Sequence, residues 1–139
     1  MNIDSIKNGF VIDHIPAGMA MEVYRVLKLK KLNCPVAMIM NAVSGKMGKK
    51  DIIKIDGEIE LNFEALGYVA PDVTVNIIKD GNMVEKRHIE LPEKITNVIK
   101  CKNPRCITSV EPGIDQVFKL TDKDTRDYRC IYCESKATR

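Results

Sequence analysis

A chain of 139 residues, 45% of them hydrophobic, has room for one ordinary domain or two small ones and can bury a core, which argues against global disorder. The formal charge is only +3, and no run approaches the roughly 18 apolar residues that a membrane helix needs. Residues 1–96 balance 13 Lys+Arg against 13 Asp+Glu, whereas residues 97–139 carry 9 against 6 and hold the whole excess.

The start, Met1-Asn2-Ile3-Asp4-Ser5, lacks the basic and then apolar pattern of a secretory leader, and the chain reads as a soluble cytoplasmic protein. The first strand is expected over Gly9–Ile15, ending at Pro16. A helix should follow from about Ala17 to Lys31, because Met19, Val23, Val26 and Leu27 fall on one helical face. Lys28, Lys30 and Lys31 crowd its end, where the helix dipole favours cations, and Pro35 bars continuation. Val36–Val43 reads as a strand, Ser44–Gly48 as a turn and Asp51–Asp56 as the next strand. Asn62 should cap a short helix from Phe63 to about Val69, which stops before Pro71. Val73–Ile78 and Met83–Ile89 read as strands joined across Asp80-Gly81-Asn82. The order β-α-β-β-α-β-β implies an α+β fold: a ferredoxin-like antiparallel sheet with two helices on one face.

Pro92 and the polar stretch 93–97 read as a boundary between a domain over 1–92 and a smaller one over 97–139. Some 40 residues with few periodic apolar positions cannot fold on burial alone, and a metal staple is the usual remedy. Four of the five cysteines lie there: Cys101-x4-Cys106, then 23 residues, then Cys130-x2-Cys133. Two tight pairs at two loop tips can converge on one tetrahedral ion. Zinc suits four thiolates best, and iron is chemically possible. A closed four-ligand site leaves no position for an activated water, so the metal is expected to be structural, in a small zinc-ribbon-like β domain. Four thiolates around a dication would also pull the tail back towards neutrality, a poor footprint for duplex nucleic acid.

Several near-motifs fail. His88-Ile89-Glu90 with Cys130-x2-Cys133 imitates a zinc deaminase signature, but Arg129 stands where that signature has Pro, and Cys101 and Cys106 are left unused. His88 then reads as a surface strand residue. Gly45-Lys46-Met47-Gly48-Lys49-Lys50 has two residues between its glycines where a P-loop has four, and no Ser or Thr follows the lysine. Its G-x-x-G could clamp a nucleic-acid backbone, as in KH domains, or it is a hairpin turn with solvated lysines. A zinc-ribbon nucleic-acid-binding protein is thus the alternative reading, although Phe118, Tyr128 and Tyr132 are the only tail aromatics for stacking. Lys50 and Lys54 should share one face of their strand, roughly 13–14 Å apart, with Ile53 and Ile55 facing the core. Two such lysines could converge on a triphosphate. Asp13-His14 ends the first strand, with His14 expected to be hydrogen-bonded there. Cys34, Met38 and Met40 read as core filler.

The segments Val11-Ile12-Asp13-His14-Ile15-Pro16, Ser44 to Ile55, Ala70-Pro71 with Thr74-Val75-Asn76, Leu91-Pro92-Glu93 and the four cysteines at their spacing together resemble the regulatory chain of aspartate carbamoyltransferase, nearly end to end. The resemblance implies a non-catalytic subunit that controls the first committed step of pyrimidine biosynthesis, with an N-terminal domain for CTP, ATP and UTP and a zinc domain that docks on the catalytic chain. It implies self-association as a regulatory dimer, two catalytic trimers being joined by three such dimers. By resemblance Asp13 meets the base or ribose, His14 and Lys86 the phosphates, Lys54 the ribose and base side, and Lys50 a second-nucleotide region. Ile6, Val11, Asn76 and Ile78 would line the pocket. Cys101, Cys106, Cys130 and Cys133 would hold Zn2+, and Asn103, Arg105 and Glu134 would face the catalytic chain. It implies no nucleic-acid or membrane partner.

Overall fold

The structure, a computed structural model, describes residues 6–138; the leader reading at Met1–Ser5 and the last residue of the 97–139 range lie outside them. The chain divides into two compact units, residues 1–90 and 91–139. Among the described residues no helix is long and apolar enough to cross a membrane.

In the first unit, β1 (Gly9–Pro16), β2 (Val36–Ser44), β3 (Gly48–Ile55), β4 (Thr74–Lys79) and β5 (Asn82–His88) form one sheet in the order β2-β3-β1-β4-β5. Every pairing is antiparallel. Helices α1 (Ala20–Val26) and α2 (Phe63–Val69) contribute Ala20, Val23 and Leu66 to the core that also buries Ile12, Ile53, Ile55 and Val75. This is the expected ferredoxin-like βαββαβ arrangement, extended at one edge by β5. The strands alternate as a one-sided sheet must: Ile12, Ile53 and Val75, paired side by side, are fully buried, while their neighbours Val11, Lys54 and Asn76 are half-buried on the opposite face.

Turn chemistry behaves as read. Asn62 caps α2 by accepting the Ala65 N–H at 3.1 Å. Asp80 and Gly81 both take positive φ, 52° and 78°, as a tight hairpin demands. The first helix does not run to Lys31. It ends at Val26; Lys28 turns left-handed (φ 56°) and a short 3-10 turn, Leu29–Lys31, follows. Leu29 lies off the apolar stripe of a continuous helix. The left-handed residue costs about 1–2 kcal/mol, and swinging Leu29 into the core, where it is 2% exposed, returns about 1.5–3 kcal/mol. β3 begins at Gly48, earlier than expected, because Ser44 pairs with Gly48 and Val43 with Lys49 in the hairpin. Met38 packs against the core as read, whereas Met40 is half exposed: a bulge between Ile39 and Ala42 takes it out of alternation.

In the second unit, β6 (Lys94–Thr96), β7 (Val117–Asp122) and β8 (Asp127–Cys130) form a three-stranded antiparallel sheet, with the one-turn helix α3 (Ile107–Val110) beside the cysteines. The polar stretch 93–97 is therefore not a bare connection. It carries β6, whose Ile95 is fully buried and pairs with Phe118. The core is small: Ile95, Val117, Phe118 and Tyr128, with Cys101, Cys106 and Cys130.

Candidate functional site

The four tail cysteines converge. Cys130 closes β8, paired with Phe118 across the sheet. Cys106 occupies the N-cap position of α3. Cys101 is held through its N–H, which donates to Gln116 Oε1 at 3.0 Å. The loop turns are tied by main-chain bonds, Cys106 N–H to the Asn103 carbonyl (3.1 Å) and Glu134 N–H to the Cys130 carbonyl (2.9 Å). The four Sγ atoms all lie within 4.8 Å of one another, with Cys101–Cys133 at 3.5 Å and Cys106–Cys130 at 3.7 Å. A tetrahedral ion with sulfur at about 2.3 Å separates its ligands by about 3.8 Å, so the donor set and its spacing fit one metal ion.

The thiols differ in the way a crowded cluster must. Burial pushes Cys101 up to about 12 and raises Cys130 as well. The Thr108 hydroxyl, 3.2 Å from Cys106 Sγ, lowers that thiol, and Ser135 lowers Cys133 to about 6. Four thiolates this close cannot all stay charged alone; a bound dication reverses that balance.

The residues expected to meet the catalytic chain sit on the cysteine loops. Asn103 and Arg105 lie between Cys101 and Cys106, with Asn103 Oδ1 accepting the Arg105 N–H at 3.1 Å. Glu134 follows Cys133 in a left-handed conformation (φ 62°), its carbonyl bonded to Arg129. Sequence reasoning missed the apolar part of this surface. Ile107 and Val110 after Cys106, with Ile131 and Tyr132 between Cys130 and Cys133, are 44–68% exposed. Their positions flanking the cysteines were the available signal. Phe118 and Tyr128 are buried, leaving Tyr132 alone of the three for stacking on a nucleic acid.

In the first unit, the sheet register lines up one residue from each strand in a row: Ala37, Lys54, Val11, Asn76 and Lys86. Directly paired residues share a face, here the one turned away from α1 and α2. Lys54 and Lys86 start three strand spacings apart, about 14 Å, so their stems can converge above Val11 and Asn76. Asn76 Oδ1 is buried and has no hydrogen-bond partner among the described residues. Ile78 lies two residues further along β4, beside Gly9. Ile6 is half-buried, and the segment after it is tied to the β4–β5 turn through the Gly81 N–H on the Lys7 carbonyl (2.9 Å) and the Asp80 N–H on Asn8 (3.2 Å).

At the other end of the face Lys50 is not a solvated turn lysine. Its ammonium lies 2.9 Å from Asp13 Oδ1, and both side chains are mostly buried. Asp13 Oδ1 also accepts the His14 N–H at 2.6 Å. A bulge in β1 between Ile12 and Ile15 sets Asp13 and His14 side by side, with His14 at φ 61°. The expected side-chain bond of His14 is not made at Nδ1, which is buried without a partner among the described residues. The bulge takes the ring out of the ladder's regular alternation. Burial pushes the Asp13 carboxyl up, but Lys50 and the His14 N–H outweigh it and hold it below the usual carboxylate value. A depressed folded-state pKa adds stability above the unfolded value of about 3.9 that is lost as pH falls through the folded value. Asp13→Asn should therefore cost about 0.5–1 kcal/mol at neutral pH and nothing once both forms are protonated, a difference read from urea midpoints across the acid range.

Cys34 packs against the core beside Gly57, as read. His88 is exposed, with Nε2 3.6 Å from Asp72 Oδ1. Residues 45–47 form the exposed tip between β2 and β3, tied by the Met47 N–H on Ser44 Oγ.

Two family models match. The one described as aspartate carbamoyltransferase regulatory chain, allosteric domain, covers residues 1–90, and the one described as the metal binding domain of the same chain covers residues 93–139. The aspartate carbamoyltransferase regulatory chain of Clostridium tetani is 50% identical over 135 residues, 96% of this chain and 94% of its own length. That of Clostridium botulinum (strain Hall) is 49% identical over 134 residues, covering 96% and 92%. That of Bifidobacterium longum is 45% identical over 137 residues, covering 99% of both.

Proposed function

The chain belongs to the family of aspartate carbamoyltransferase regulatory chains, and from that premise we propose that its first domain senses nucleotides on the helix-free sheet face while its second docks on the catalytic chain. It is a regulatory, non-catalytic subunit of an enzyme of pyrimidine biosynthesis, with an allosteric and a metal-binding domain. The division we propose assigns residues 1–92 to effector binding and 97–139 to docking.

One observation carries the effector reading: Lys54, Asn76 and Lys86 stand in one row across the sheet, and the buried Asn76 acceptor has no partner among the described residues. Cationic side chains around an apolar floor suit a nucleoside triphosphate. The ligands are CTP as inhibitor, ATP as activator and UTP acting with CTP. Lys54 and Asp13 serve the ribose and base side, His14 and Lys86 the phosphates, Lys50 a second nucleotide, and Ile6, Val11 and Ile78 the apolar wall.

The ion of the second domain is zinc, held by Cys101, Cys106, Cys130 and Cys133. Bound there it would supply folding energy that the small core lacks. Docking uses Asn103, Arg105 and Glu134 with the apolar residues around the cysteines, Ile107 and Ile131 foremost. In the assembly the chain forms a regulatory dimer that joins catalytic trimers. A nucleotide that binds one quaternary state better than the other shifts the enzyme by that difference, typically about 1–3 kcal/mol.

Hydrogen bonds to charged groups are worth about 1.5–3 kcal/mol. Lys54→Ala and Lys86→Ala should each weaken CTP binding about 10- to 100-fold in a calorimetric titration, while Lys49→Ala at the exposed start of β3 should leave it unchanged. Full affinity in both face variants would place the nucleotide elsewhere.

A further inference from the structure

Resting on the reading of the sheet face as a nucleotide site, we propose that Asp51 is a positioning residue for it, holding the strands that aim Asp13, His14 and Lys50 without touching the ligand.

Asp51 is a fully buried charged side chain. Its Oδ2 accepts the N–H of Gly18 (2.9 Å) and of Ala20 (3.1 Å), and its Oδ1 accepts the N–H of Asn41 (3.0 Å). One carboxylate in β3 thus holds the turn after β1, the first residue of α1 and the backbone of β2. A buried carboxylate costs several kcal/mol to desolvate. If capping α1 were its whole purpose, a Ser, Asp or Asn at position 19 would do it locally; Met19 stands there and makes no side-chain cap.

The neighbouring strands show what the carboxylate organises. β3 is flanked by a bulge on each side. The β1 register jumps between Ile12 and Ile15, and Ile15 then pairs with Asp51; the β2 register jumps between Ile39 and Ala42, opposite Asp51. Each bulge holds a non-glycine residue in the left-handed region, His14 and Asn41, both at φ 61°. Such residues cost about 1–3 kcal/mol and persist only where the surroundings over-determine them. The Asn41 N–H, freed from the ladder, goes to Asp51. On the opposite face the preceding residue, Lys50, meets Asp13 at 2.9 Å because the β1 bulge has moved Asp13 and His14 within its reach. Bulges next to sites re-aim side chains. Here one carboxylate holds the β2 bulge directly, through the Asn41 N–H, and the end of β1 through the Gly18 and Ala20 N–H groups that follow its bulge.

The test is a double-mutant cycle on the full chain, well below its unfolding transition, with CTP affinity by calorimetry. Asp51→Asn keeps the size and one acceptor oxygen. It should weaken CTP about fivefold or more. Its effect should be strongly non-additive with Lys50→Ala, whose corner it disturbs, and additive with Lys86→Ala on β5. If the variant is partly unfolded, the titration is repeated in sucrose, which restores the folded population without repairing the corner; the affinity loss should persist. A second readout needs no nucleotide: freeing Lys50 from Asp13 should move the Asp13 carboxyl titration, followed by NMR, upward. Unchanged Asp13 titration and CTP affinity in folded Asp51→Asn, or equal coupling to Lys50 and Lys86, would overturn the proposal. If the wild-type chain binds no nucleotide, the function reading falls, and the Asp13 titration alone decides the positioning role.

Discussion

Cys101→Ser is expected to release the metal and unfold the second domain while the first keeps its own core. A serine hydroxyl stays protonated where a thiolate must charge, and three sulfurs cannot close the site. The loss is large because structural zinc sites carry about 10–16 kcal/mol of apparent binding free energy. Against that, the domain buries, among its described residues, only Ile95, Val117, Phe118 and Tyr128 besides its cysteines, far too little for a chain of this size to fold unaided. The expected readout is metal content near zero by a chromogenic chelator. With it should go loss of amide protection at Leu120, Cys130 and Ala137, whose N–H groups bond across the domain, but not at Ala65 or Ala70, which sit in and after α2. Full protection in a variant that has lost its metal would refute the metal's structural role, and stoichiometric metal in the variant would show that Cys101 is not needed to hold it.

Asp51→Ala should destabilise the first domain by about 2–4 kcal/mol, a large part of the 5–15 kcal/mol typical of a whole protein. Alanine leaves the N–H groups of Gly18, Ala20 and Asn41 without this acceptor; the Ala20 N–H is buried and costs about 1–3 kcal/mol unless the backbone relaxes or water enters, while those of the exposed Gly18 and Asn41 add less. The loss should appear as a lower urea midpoint for the first domain with little change in the second. The amides of Ala20 and Asn41 should lose protection before the rest. A change below about 1 kcal/mol would show that the carboxylate is dispensable to the fold.

Much of this molecule is legible in its sequence because its signals are local. The cysteine spacing announces the cluster, Asn62 its helix and Asp80-Gly81 its hairpin. Alternation at Lys50, Ile53, Lys54 and Ile55 gives the two faces of β3. What could not be read is set by distant partners. Lys28 leaves the helix because Leu29 finds the core. Met40 is exposed because a bulge interrupts β2. Asp51 sits in an ordinary strand pattern, and its three donors lie 10 to 33 residues away. The row from Lys54 to Lys86 needs the strand order, which no pattern in the chain supplies.

The most direct measurement mixes the zinc-loaded chain with purified catalytic trimers and follows carbamoyltransferase activity against aspartate concentration, with and without saturating CTP. The account predicts an assembly whose half-saturating aspartate shifts on adding CTP by a factor within the 5- to 150-fold that 1–3 kcal/mol of coupling allows, and an assembly made with Lys54→Ala that forms equally well and does not shift. An intact assembly with an aspartate curve indifferent to CTP would contradict it.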